Sequence, residues 1–130
     1  MRNDYIYDDG GRHQYFRMEY KKDRVGDCVI RALAIATGED YKKIRKEVWE
    51  LSWENGAMPN DKLTFDMFLQ NRGWIREKKI KGFTLGEYPF HPKHTYFVIL
   101  AHHCVAVDQG LVRDIWDCRH KSPYYTWRRP

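Results

Sequence analysis

The chain has 130 residues, 42% apolar and 15% aromatic, with 23 Lys and Arg against 18 Asp and Glu for a formal net charge of +5. That length suits a single domain over residues 1–130 with a real core. The apolar share excludes disorder beyond the termini, and the apolar run from Tyr96 to Ala101 is far too short to cross a bilayer. The mild positive charge permits nucleic-acid contact without requiring it. Three cysteines behind a polar, charged N-terminal segment predict a cytoplasmic protein with free thiols.

Residues 1–12 read as a flexible arm in which Asp8-Asp9-Gly10-Gly11 is a turn and Tyr5-Ile6-Tyr7 can add an edge strand. His13 to Tyr20 alternates weakly, as a short strand or an extended approach, and Lys21 to Arg24 is charged and exposed. The stretch from Gly26 to Gly38 then predicts a helix. Asp27 can cap it, Ile30, Leu33 and Ala34 share one face, and Gly38 supplies a left-handed stop.

Cys28 falls in the first turn of that helix, where unpaired backbone N–H groups and the positive end of the helix dipole favour a thiolate. A small buried apolar role is the alternative for a lone cysteine.

Asp40 caps a second helix whose apolar stripe is Ile44, Val48, Leu51 and Tyr41. The Gly38-Glu39 joint predicts an antiparallel helical hairpin, and Trp49 and Trp53 widen the apolar face as packing residues. After a loop from Asn55 to Lys62, Thr64 caps a short helix over Phe65 to Asn71, stopped by Gly73.

Trp74 to Ile80 reads as a strand, with Arg76 to Lys81 a solvated edge, and Gly82 to His94 as an irregular connection. Thr95 to Leu100 is a continuous β-rich run suited to a central strand. His103 to Val107 and Leu111 to Trp116 flank the Asp108-Gln109-Gly110 turn, and Tyr124 to Trp127 adds a last strand. Helices first and strands afterwards define an α+β class, N-terminal helices packed on a C-terminal antiparallel sheet.

Period-two alternation places His103 on the side of Val105 and Val107. With Gln109 and Gly110 as the two turn residues, Val107 opposes Val112, Val105 opposes Asp114, and Asp114 lies diagonally beside His103 on the same face. A three-residue turn sends Asp114 to the other face, with Asp117 as the fallback acid. His102 replaces His103 if the strand register shifts by one, and Cys104 alternates away as a sheet residue. His91, His94, His102, His103, Cys104, Cys118 and His120 hold zinc-type atoms at spacings that fit no paired-ligand pattern.

A cysteine opening the first long helix, a histidine on a strand and an acid or amide on the next strand resembles the order of the papain-like cysteine peptidases. Papain has His-Ala-Val-Ala at its histidine and Asn-Ser-Trp at its orienting amide, where this chain has His103-Cys104-Val105-Ala106 and Asp114-Ile115-Trp116. The chain is also similar to small papain-like proteins of bacteriophages and bacteria in Asp-Cys-x-Ile-Arg-Ala-Leu (Asp27 to Leu33), in His-x-x-Ala-Val and in Asp-x-Trp-Asp (Asp114 to Asp117).

The resemblance implies a papain-like fold, catalytic Cys28, His103 and Asp114, and hydrolysis of an amide, isopeptide or thioester. It implies no cofactor and no metal. The implied substrate is a protein or peptide, including a host protein in the host cytoplasm if the chain is phage-encoded, with nucleic acid less favoured and no membrane. Two positions depart from the pattern: Lys22 stands where such peptidases usually place the oxyanion-hole Gln, and Val29 where papain has Trp. The Cys28 backbone N–H is then the one defensible oxyanion donor. The alternative is a non-catalytic papain-like binding protein contacting a host protein or nucleic acid.

Overall fold

The structure is a computed structural model that describes residues 1–15 and 26–130. Three helices, α1 (Cys28–Thr37), α2 (Tyr41–Asn55) and α3 (Lys62–Asn71), pack on a six-stranded sheet ordered β1-β5-β4-β3-β6-β2. The strands are β1 (Asp4–Tyr7), β2 (Ile75–Glu77), β3 (Thr95–Leu100), β4 (His103–Asp108), β5 (Leu111–Asp114) and β6 (Tyr125–Arg128). The fold is therefore α+β, but the sheet is mixed and is not wholly C-terminal. β1 runs parallel to β5, and every other pair is antiparallel.

β3 lies between β4 and β6 with all of its residues buried, as its unbroken apolar run requires, because both faces of the sheet are covered. Phe97, Ile99, Cys104, Ala106, Tyr125 and Trp127 join the core that includes the helices. Tyr96, Val98, Leu100, Val105, Val107 and Val112 form a second core with Leu85, Tyr88 and Phe90 of the irregular connection.

α1 is buried on nearly every side. Its sequence is apolar all round apart from Arg31 and Thr37, and such a helix belongs inside. Gly38, at φ 71°, ends it.

Asp40 caps α2, accepting from the Lys42 and Lys43 N–H groups at 3.1 and 3.2 Å. Trp49 and Trp53 are not packing residues: Trp53 is 89% exposed and Trp49 is also exposed. At about 100° per residue they fall beside, not on, the inward stripe of Tyr41, Ile44 and Val48.

α3 begins earlier than expected. Asp61 is its cap, accepting from Leu63 N–H at 2.9 Å, and the buried Thr64 hydroxyl donates to the Met58 carbonyl at 2.8 Å. β2 and β5 are shorter than the runs expected for them, and β2 forms the sheet edge.

The edge strand expected over Tyr5-Ile6-Tyr7 forms as β1, and the segment around it is built into the fold rather than a flexible arm. Asn3 is 2% exposed, and its amide donates to the Leu85 and Tyr88 carbonyls at 2.8 and 2.9 Å. Gly10 closes on α1 so tightly that an added Cβ would lie 2.9 Å from the Arg31 carbonyl oxygen. Arg12–Gln14 forms a short 3-10 turn where a strand was an alternative; the remaining part of the His13 to Tyr20 reading, and Lys21 to Arg24, lie outside the described residues.

Asn3→Ala is expected to destabilise the protein by roughly 1–3 kcal/mol, because two buried hydrogen bonds to the Leu85 and Tyr88 carbonyls are lost. A urea titration checks this; an unchanged midpoint would restore the flexible-arm reading.

Candidate active site

β3 ends, β4 begins and β5 ends at one end of the sheet, and α1 starts there. The turn between β4 and β5 decides what meets. Gln109 and Gly110 take φ 53° and 79°, the left-handed pair of a two-residue hairpin turn, and the ladder pairs Asp108 with Leu111, Val107 with Val112 and Ala106 with Arg113. Asp114, the next position, lies beside His103: Asp114 Oδ2 and His103 Nε2 are 2.5 Å apart, with the residues 3% and 9% exposed.

Asp117, the fallback acid, is not the carboxylate that meets His103. It is exposed and bound by Arg119, at 2.9 and 2.7 Å through Nε and Nη2. His102, at φ 54°, sits exposed in the turn before β4.

The backbone of Asp114 is held as firmly as its carboxylate. β1 pairs Tyr7 with it, Asp8 N–H donates to its carbonyl at 3.0 Å, and the Tyr5 hydroxyl donates to the same oxygen at 3.1 Å. Ile115 N–H donates to Oδ1 at 2.8 Å. The Trp116 ring packs over His103 with centroids 5.0 Å apart.

Cys28 is the first residue of α1 and is partly exposed. Asp27 sits at the N-cap position, but its side chain makes no cap hydrogen bond. It accepts instead from Arg12, from Arg31 and from the Tyr41 hydroxyl. The positive end of α1 is thus not neutralised by its own capping carboxylate, which favours an anion at Cys28.

The Cys28 thiol is held down to about 4. The largest cause is a hydrogen bond from the Cys104 side chain; burial opposes it, and hydrogen bonding and attraction from His103 add to it. His103 moves the other way, to about 11: burial, the largest single effect, disfavours its charge, but hydrogen bonds to Asp114, Cys118 and Cys28 together outweigh it. The Cys104 thiol is raised, first by that same bond to Cys28. Both shifts favour the ionised pair, a Cys28 thiolate beside a His103 imidazolium, and Cys104 lies against the same sulfur.

Cys28, Val29, Phe65, Ile99 and Leu100 line a cleft of about 340 Å³ with Asn60, Lys62 and His102 among its polar members. Concavities of about 660 and 820 Å³ run along α2, but neither contains a nucleophile with a base. Chemistry, not size, selects the smaller cleft.

His103, Asp114 and Cys118 each offer an atom within 4.8 Å of the others, a set of zinc-type donors that the sequence reading did not assemble. The Asp114 oxygen nearest His103 is engaged by it, and Arg31 Nη2 stands 3.4 Å from the other. A dication there would face an adjacent guanidinium.

Sequence reasoning also missed three neighbours. Cys104 was assigned to the sheet alone, Cys118 was one of several zinc-type atoms, and Arg31 was given no role. Arg31 carried a signal: it is the one charged residue in the apolar stretch of α1, and a buried charge requires a partner.

The fold and site together define an α+β protein with a cysteine, a histidine and an aspartate gathered where a helix starts against a sheet. No family model, curated protein or solved structure matches the chain. Among the described residues no helix is long and apolar enough to cross a membrane.

Proposed function

We propose that the protein is a thiol hydrolase of papain-like type, with Cys28 as nucleophile, His103 as proton carrier and Asp114 as the acid that orients the ring. The observation that carries this reading is geometric: Cys28 at the start of α1 and His103 line one cleft, the low Cys28 and high His103 accord with it, and Nε2 of His103 is committed to Asp114. That leaves the other ring nitrogen for the sulfur. The resemblance of the Asp27 to Leu33, His103 to Ala106 and Asp114 to Trp116 stretches to papain-like proteins supports the same assignment.

The thiolate attacks the carbonyl carbon of an amide, isopeptide or thioester, forming a C–S bond while the carbonyl electrons move onto oxygen. Backbone N–H groups at the start of α1, that of Cys28 first, receive the oxyanion. Collapse breaks the bond to the leaving group, which takes the proton from the imidazolium. Water then attacks the acyl-enzyme, His103 accepts its proton, and Cys28 leaves as thiolate. Asp114 keeps one ring tautomer in place and balances the imidazolium charge. The oxyanion position occupied by Lys22 lies outside the described residues.

Incubation with peptide, isopeptide and thioester substrates, followed by acid quench and intact-mass analysis, tests the reading. The expected result is an acyl adduct on Cys28 that is absent from His103→Ala. Absence of any adduct, with all substrates left intact, would favour the alternative, a binding protein. The feature that speaks for that alternative is the groove along α2, in which Lys46 accompanies the exposed Trp49 and Trp53.

A further inference from the structure

Behind the proposed nucleophile and base, buried side chains of alternating sign form a continuous chain. Arg12 Nη1 donates to Asp27 Oδ1 at 3.1 Å, and Arg31 Nη1 donates to the same oxygen. Arg31 Nη2 turns the other way and reaches Asp114 Oδ1 at 3.4 Å, while Asp114 Oδ2 meets His103 Nε2 at 2.5 Å. With the imidazolium and the Cys28 thiolate included, the signs alternate from Arg12 to Cys28 and sum to zero.

We propose that Arg31 is a positioning residue for the thiol hydrolase reading on which this inference rests: its guanidinium ties the Asp114 carboxylate to the first turn of α1, balances its charge and leaves Oδ2 aimed at His103.

The physical need is specific to an acid in this place. An amide could orient the ring without a counter-ion, but a carboxylate in a 3% exposed position must be paired and hydrogen-bonded. Arg31, itself 4% exposed, lies between two carboxylates and faces Asp27 as well as Asp114. Asp27 accordingly gives up its cap role, and the Tyr41 hydroxyl satisfies its second oxygen at 2.7 Å.

Helical spacing makes the arrangement compact. Cys28 and Arg31 are three apart, neighbours on one side of α1, so a single turn presents the nucleophile to His103 and the guanidinium to the acid that holds His103. Among the described residues, the remaining titratable groups around the pair are Cys118, 3.6 Å from Asp114 Oδ2, Tyr5 on the Asp114 carbonyl, and Cys104 beside Cys28. None of them is a cation that could replace Arg31.

The test is a double-mutant cycle read by iodoacetamide labelling of Cys28 near pH 6 and by the ring N–H resonance of His103 in NMR spectra. Arg31→Gln is expected to slow labelling by roughly tenfold and to move the His103 resonance. Arg31→Lys, which keeps the charge, should recover most of both effects. In an Asp114→Asn background, where the orienting group is neutral, adding Arg31→Gln should change labelling less than about twofold, because the partner it balances is gone.

Equal losses in both backgrounds would reduce Arg31 to a packing residue and overturn the proposal, as would wild-type labelling with an unmoved resonance in a folded Arg31→Gln protein. If Arg31→Gln does not fold, Arg31→Gln/Asp114→Asn compared with Asp114→Asn decides: equal rates support the proposal and a further tenfold loss ends it. Failure of the hydrolase reading is separately visible, since Cys28 of the unmutated protein would then label like an ordinary thiol.

Discussion

In Cys28→Ser, hydrolysis of any substrate that the protein turns over is expected to fall by roughly four to six orders of magnitude, with the fold retained. Serine nearly preserves the volume at the start of α1, but its hydroxyl stays protonated where the thiol of Cys28 is held down to about 4. His103→Ala should be as damaging, because the proton carrier and the partner of the thiolate disappear together. The double variant should be no worse than either single one, since the two residues act as a unit.

Asp114→Asn should cost much less, because an amide oxygen can still accept from Nε2. Asp117→Asn, at an exposed carboxylate bound to Arg119, should leave turnover unchanged. Steady-state kinetics on variants with native circular dichroism would check the series. Activity that survives in folded Cys28→Ser would remove the nucleophile and transfer the reading to a binding protein.

Alkylation of Cys28 should be nearly flat between about pH 7 and pH 5, while an ordinary thiol slows about a hundredfold over the same range. The sign follows from the two shifts. Cys28 is depressed to about 4, so the thiolate persists as pH falls until that value is approached. His103 is raised to about 11, so the imidazolium persists as pH rises until that value is approached. Between these limits the ion pair is the resting state.

Cys104 and Cys118 should label far more slowly. Both are buried and their thiols are pushed up, Cys104 first by its bond to Cys28 and Cys118 first by burial. Mass spectrometry after timed quenches, residue by residue, would measure this. A Cys28 rate that falls tenfold for each pH unit below neutrality would exclude the activated thiolate.

These expectations depend on parts of the chain that local pattern reveals to very different degrees. The end of α1, the cap at Asp40 and the burial of β3 follow from neighbours in sequence: a glycine stop, a carboxylate before a periodic run, an unbroken β-rich stretch. The hairpin after β4 was half legible. Asp108-Gln109-Gly110 announces a turn, but choosing between two and three turn residues moves Asp114 from one face to the other. Closure of the two-residue turn, with positive φ at Gln109 and Gly110, places it beside His103.

Trp49 and Trp53 misled the reading because aromatic content alone does not say which side of α2 will find a partner. In residues 1–12 the edge strand over Tyr5-Ile6-Tyr7 was legible, but the burial around it was not. Polar composition looked like an arm, yet Asn3 and Arg12 are buried and β1 braces the carbonyl of Asp114.

By itself, then, the sequence determined the cysteine at a helix start, the histidine at a strand start and the turn that could bring an acid back, because each is a short-range preference of the backbone. Tertiary structure alone decided that Asp27 abandons its cap for Arg31, that Arg31 bridges to Asp114, that the Cys104 thiol touches Cys28, and that β1 closes the sheet beside the acid. Apart from the Asp27–Arg31 pair, four residues apart, these are contacts between segments far apart in the chain. Their geometry is set by how α1 is buried against the sheet, and the pairing of charges there follows from the high cost of leaving an ionised group alone in the interior.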